Sequence, residues 1–161
     1  MSNEEVLAIL RENARHSVED IARQTGTDPE TVEEIIEGLE AAGVVRGYRA
    51  VVDWHRLDEE PVRAEIELNV TLDHETGYDD IAERLARFDP VESLHLVSGE
   101  YDFMMEVEGE SMREVSTFVS DKVAPVPEIT QTVTHYVMTT YKEQGIEFES
   151  DHDDDRLSVS P

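Results

Sequence analysis

The first part of the chain has a helical rhythm. Val6, Ile9 and Leu10 form one apolar stripe, Val18, Ile21 and Ala22 a second, and Val32, Ile35, Ile36 and Leu39 a third. Each follows the i, i+3, i+4 spacing of one helix face. The residues between the stripes agree. Ser2 with Glu5 and Ser17 with Asp20 read as N-terminal caps, and Asn13 to His16 breaks the first stripe. Gly26 suits the left-handed turn that ends a helix, Asp28 with Pro29 opens the next, and Gly43 stops it. Short helix, helix, glycine-containing turn, helix is the layout of a helix-turn-helix. Val44 to Val52 reads as a strand, so residues 1–52 are expected to form a winged or strand-linked unit.

The rhythm then changes. Residues 53–61 are polar, hold the only tryptophan, Trp54, and end in Glu59-Glu60-Pro61, which predicts a linker. Val62, Ala64, Ile66, Leu68 and Val70 alternate with polar residues, the period of a half-buried strand. Tyr78, Ile81, Ala82, Leu85 and Phe88 fit a helix closed by Asp89-Pro90. Val91 to Val97 and Phe103 to Val107 read as two strands, and Met112, Val115, Phe118, Val119 and Val123 as a second helix. Ala124 to Pro127 turns the chain into a last strand, Ile129 to Met138. The order is β-α-β-β-α-β, a ferredoxin-like arrangement over residues 62–144. Residues 145–161, with an aspartate run, read as an acidic, solvated tail. The predicted fold class is α+β, with a helix-turn-helix domain before a βαββαβ domain.

Composition narrows the setting. The chain has 161 residues, 39% of them hydrophobic, enough for one ordinary domain or two small ones. No apolar run reaches membrane-spanning length, and the N-terminus lacks a signal-peptide pattern. There is no cysteine, hence no disulfide framework or thiolate metal site. A cytoplasmic protein is expected. Asp plus Glu number 39 against 13 basic residues, for a net charge of −26, and only Lys122 and Lys142 are lysines. The acids line nearly every predicted element while the apolar periodicity persists. That combination indicates a folded protein hydrated by surface carboxylates in a molar-salt cytoplasm, rather than a disordered one.

Several signatures stand in a characteristic order: Arg15-His16-Ser17, Ile21-Ala22, Leu39 to Tyr48 (LEAAGVVRGY), Ser98-Gly99-Glu100-Tyr101-Asp102, and Thr132-Val133-Thr134. With the two-domain order, the chain resembles the Lrp/AsnC, or feast/famine, transcription regulators over residues 2 to 142, from a halophilic archaeon. The resemblance implies DNA binding through the third helix, homo-oligomers built through the βαββαβ domain, and a small effector between subunits. That effector is commonly an amino acid, held near the loop Ser98 to Asp102, with Thr132 and Thr134 beside it. The chain departs from the family at the third helix. Family members usually carry basic residues there, whereas Glu33, Glu34 and Ile35 stand here, followed by Glu37 and Gly38.

Candidate DNA contacts are therefore Ser17, Thr27, Asp28 and Thr31 at helix starts, with Arg15, Arg46 and Arg49 as phosphate clamps. The bland reading of those arginines is salt bridging to neighbouring carboxylates. In the loop, Gly99 permits a positive φ, Asp102 offers an acceptor for a ligand ammonium, and Ser98 with backbone amides offers donors for a carboxylate. The bland reading is a tight turn. His95 and His135 are expected on opposite sheet edges, so no metal site is read from them. No P-loop, HExxH, nucleophile elbow or dinucleotide fingerprint occurs, and neither cofactor nor catalysis is expected. Two alternatives stay open: an effector sensor that does not bind DNA and co-assembles with a basic relative, and a sirohaem-decarboxylase-like enzyme on the same architecture.

Overall fold

The structure is a computed structural model describing residues 2–149. It divides into two compact units between Ala50 and Val51. In the first, α1 (Asn3–Glu12), α2 (Val18–Thr25) and α3 (Pro29–Ala41) pack around Val6, Ile21, Ala22 and Val32. The predicted stripes are the buried faces, with Ile35 and Ile36 partly covered at the margin. Each helix start is held by a local carboxylate. Glu5 accepts the Ser2 amide (3.1 Å), Asp20 accepts the Ser17 amide (3.4 Å), and Asp28 accepts the Thr31 amide (2.9 Å). Gly26, at φ 68°, ends α2 in the left-handed conformation that glycine adopts without steric cost.

The predicted strand Val44 to Val52 does not form. Among the described residues the segment has no ladder partner, and the amides of Val44 and Val45 both donate to the Leu39 carbonyl (2.9 and 3.1 Å), closing α3. β-Branched residues define a strand only when a neighbouring strand and a buried face receive them, and Val44 is 59% exposed.

In the second unit a short 3₁₀ turn (Trp54–Arg56) precedes β1 (Val62–Val70), α4 (Tyr78–Ala86), β2 (Val91–Leu96), β3 (Phe103–Gly109), α5 (Met112–Phe118) and β4 (Ile129–Tyr136). The last turn after α5, Val119–Val123, widens to π geometry. The sheet is antiparallel in the order β2-β3-β1-β4, the ferredoxin-like order expected from βαββαβ. Ala64, Ile66 and Leu68 of β1 and Phe103, Met105 and Val107 of β3 point to the face covered by α4 and α5, which supply Ile81, Leu85, Val115 and Phe118. Phe88, just past the end of α4, meets Phe118 of α5 edge to face, with ring centroids 5.5 Å apart. Full burial of each such side chain contributes about 1.5–3 kcal/mol.

Residues 145–149 are not the solvated tail expected from the sequence. Lys142–Glu143 (β5) and Ile146–Glu147 (β6) form a hairpin closed by Gln144 and Gly145, at φ 48° and 82°. Two successive positive φ values make the tight turn whose twist suits a hairpin. Arg63 fixes it to the sheet, donating to Glu143 (3.2 Å) and Glu106 (3.3 Å). Burial alone would lower the Arg63 pKa, but the two carboxylates outweigh it and raise the pKa above its ordinary value. The aspartate run at 153–155 lies outside the described residues.

Candidate functional site

In the helical unit, the candidate residues divide between cap and surface. Ser17 accepts the Asp20 amide through Oγ (3.1 Å) and caps α2. Asp28 accepts both the Thr31 amide (2.9 Å) and the Thr31 hydroxyl (2.7 Å). These bonds hold the Asp28 carboxyl below its ordinary pKa, the Thr31 amide contributing most. The N-terminus of a helix is normally open to an anion. Here the protein's own carboxylate occupies it, and the Thr31 hydroxyl proton is committed to the cap. Thr27 is half-buried in the turn, its amide donating to Ala22 O (3.0 Å).

The exposed side of α3 is acidic. Glu30, Glu33, Glu34 and Glu37 are all solvent-facing and lie three or four residues apart, which places them on one stripe. Glu40 differs: its carboxylate accepts the Tyr48 hydroxyl (2.9 Å). The arginines frame this helix. Arg15 lies in the exposed turn before α2, its amide donating to Asn13 Oδ1 (3.0 Å). Arg46 folds back onto Gly43 at the C-terminal end of α3, its Nη2 3.7 Å from where a Cβ on residue 43 would lie. Neither Arg15 nor Arg46 makes an ion pair among the described residues, so salt bridging does not account for them. Arg49 follows in the exposed segment after α3. The thirteen residues of α3 span roughly 20 Å at 1.5 Å per residue. Thr27, Asp28 and Thr31 thus gather at one end of the helix, with Arg46 beyond the other.

In the second unit, the loop after β2 is anchored at its foot and open at its tip. The Val97 amide donates to the Asp102 carbonyl, and the Asp102 amide to Leu68 O, both at 2.9 Å. Asp102 Oδ2 accepts the amide of Val70 (2.9 Å), where the β1–β4 register slips at Asn69/Val70. Val70 lies past the last β1–β3 pair, Leu68 with Phe103, and Asp102 supplies its amide with an acceptor where β3 has ended. Sequence alone gave no sign of this contact, which joins residues 32 positions apart. At the tip, Ser98, Gly99 and Glu100 are exposed, and Gly99 has φ 125°. The amides of Ser98, Gly99, Glu100 and Tyr101 donate to nothing among the described residues.

Thr132 pairs with Leu68, and Thr134 with Ile66, so both face the helices and are half-buried. Thr132 shares the row of Leu96, Phe103 and Leu68 at the loop's own end of the sheet. Two strand spacings, about 10 Å, separate it from Phe103. Thr134 lies one row deeper. Tyr78 was not anticipated: its ring packs edge-on against Phe103, centroids 6.0 Å apart, beside the loop's foot. Its place in the first turn of α4 was the only signal available. His95 and His135 stand on opposite edges of the sheet, as expected, and His135 Nε2 lies 3.1 Å from Glu67 Oε2. A separate cavity of about 20 Å³, lined by Asp53, Trp54, His55, Glu60 and Arg63 among others, is remote from the loop in sequence and has room for roughly one water.

Comparison with known proteins settles the relationship. Residues 3–46 match the winged helix-turn-helix DNA-binding family, and residues 63–146, over half the chain, match the Lrp/AsnC ligand binding domain. The chain belongs to the Lrp/AsnC family. It is 42% identical over 158 residues to the uncharacterized HTH-type transcriptional regulator YugG of Bacillus subtilis, covering 98% of this chain and 95% of that protein. Among solved structures it resembles E. coli AsnC, at TM-score 0.65 and 24% identity over 89% of this chain and 95% of that one. It also resembles a Neisseria meningitidis transcriptional regulator solved as its L-Met complex, at TM-score 0.69 and 21% identity over 93% and 96% of the two chains. As an Lrp/AsnC-type regulator the chain joins a helix-turn-helix DNA-binding domain to a ligand-binding domain. Among the described residues no helix is long and apolar enough to cross a membrane.

Proposed function

We propose that this Lrp/AsnC regulator is a cytoplasmic homo-oligomer that binds duplex DNA through its helical unit and senses a free amino acid at the Ser98–Asp102 loop. The observation that carries the effector reading is the set of undonated amides from Ser98 to Tyr101 beside the Asp102 carboxylate. A carboxylate fits the amides, and an ammonium fits the free Asp102 oxygen. The solved relative with bound L-Met supports that chemistry. Effector binding is coupled to DNA through the assembly, a linkage between two sites. The segment Val44 to Val52, lacking a ladder partner among the described residues, fits pairing with a second copy.

On DNA, Arg15, Arg46 and Arg49 contact phosphates, and the few groups left for base edges lie near Thr27 and Thr31. Molar salt suits this arrangement. At about 1 M the Debye length is roughly 3 Å, so repulsion between the α3 carboxylates and phosphates is screened. The test is retention of duplex from the gene's own upstream region, titrated from low to multimolar KCl with and without amino acids. No specific retention at any salt sinks the reading. The acidic stripe of α3 and its self-occupied N-terminus favour a second reading, an effector sensor that reaches DNA only through a basic relative. Recovery of that relative from a high-salt extract, with no DNA retention by the pure protein, selects it.

A further inference from the structure

We infer that Tyr48 and Glu40 form a latch that holds Arg46 in place for phosphate contact, an inference that rests on the DNA-binding reading above. Gly43, at φ 68°, turns the chain back on α3, and the last backbone bonds of the helix end at Val45. Beyond it, Arg46, Gly47, Tyr48 and Ala50 make no backbone hydrogen bond among the described residues. A side-chain bond returns this segment to the helix, Tyr48 Oη to Glu40 Oε1 at 2.9 Å, spanning eight residues. Arg46 lies inside that span and folds over Gly43. It therefore sits at the negative end of the helix dipole, where a cation is favoured. Burial, then the Glu40 carboxylate, raise the Tyr48 pKa above its ordinary value, so the phenol remains a donor at neutral pH.

Glu40 thus has a different part from Glu30, Glu33, Glu34 and Glu37. Those add negative charge to the surface. Glu40 accepts a hydrogen bond that limits where Arg46 can go, a positioning role on a side chain that would otherwise count as repulsive. Charge and position separate cleanly by substitution. Glu40→Gln keeps the acceptor and removes the charge, whereas Glu40→Ala removes both.

The experiment uses the full chain, fluorescence anisotropy with duplex from its own upstream region, and a KCl series. Tyr48→Phe and Glu40→Ala weaken binding about three- to tenfold and reduce the slope of log affinity against log salt by about one, the loss of one phosphate contact. Glu40→Gln binds as tightly as wild type or tighter. Equal strengthening by Glu40→Ala and Glu40→Gln, or unchanged binding by Tyr48→Phe, overturns the latch. A second measurement needs no DNA: backbone ¹⁵N order parameters of residues 46–50 fall in Tyr48→Phe and Glu40→Ala and hold in Glu40→Gln. Order parameters that do not respond overturn the latch as well. Failure of the wild type to bind any duplex refutes the DNA-binding reading instead, and the order parameters distinguish the two failures.

Discussion

Asp102 is expected to do two things with its two oxygens, and the two can be separated. Oδ2 accepts the part-buried amide of Val70 at the end of β1, and the other oxygen is placed for an effector ammonium. Asp102→Ala leaves that amide without a partner, at a cost of about 1–3 kcal/mol. For a unit of roughly a hundred residues, each 1 kcal/mol lowers Tm by about 4–8 °C, so the midpoint falls by roughly 5–20 °C. Asp102→Asn keeps an acceptor for Val70 and loses only the charge, so its midpoint stays within about 3 °C of wild type. Its effector affinity falls by about 10- to 100-fold, the loss of one charge-assisted bond. Trp54, the only tryptophan, lies in this unit, so its fluorescence follows the melt of this unit alone. Calorimetric titration with L-methionine at fixed salt reads the second effect. A wild-type midpoint in Asp102→Ala refutes the structural half. Undiminished methionine binding by Asp102→Asn refutes the ligand half.

Other outcomes follow from the same geometry. Cap bonds depress the pKa of Asp28 and Asp20, through the Thr31 amide and the Ser17 hydroxyl respectively. The stability they contribute is present above the unfolded pKa, about 4, and disappears as pH falls through the lower folded values. Asp28→Asn keeps the cap but does not titrate, so the helical unit, followed by far-UV circular dichroism, loses less stability between about pH 4 and pH 2 than wild type does. At Gly99 a Cβ would meet nothing within 4 Å, yet φ is 125°. Gly99→Ala therefore strains the backbone by about 1–3 kcal/mol without a clash, and weakens methionine binding by tenfold or more in calorimetry. Three arginines near phosphates give a salt slope of about −2 to −3 for duplex binding, before the acids on α3 flatten it. Glu33→Gln, Glu34→Gln and Glu37→Gln together raise affinity at about 0.1 M KCl far more than at about 2 M. Equal gains at both salts would show that the stripe does not face DNA.

What could be read from the sequence was whatever local periodicity decides. Three apolar stripes with their caps determined the three helices, because a helix buries one face and satisfies its first amides within a few residues. Alternation from Val62 to Val70, with the order of elements after it, determined a βαββαβ sheet, since chain connectivity leaves few ways to arrange those strands. The candidate residues were legible as types: a glycine in a loop, a carboxylate beside it, arginines around an acidic helix. Tertiary structure decided what each was free to do. Asp28 and Thr31 bind each other, and Asp102 supports Val70 from 32 residues away. Val44 to Val52 found no ladder partner among the described residues, whereas Lys142 to Glu147, beyond the last expected strand, formed a hairpin that Arg63 holds down. Periodicity reports which face of an element is apolar. It does not report which polar atoms already have a partner, and that depends on distances between residues far apart in the chain.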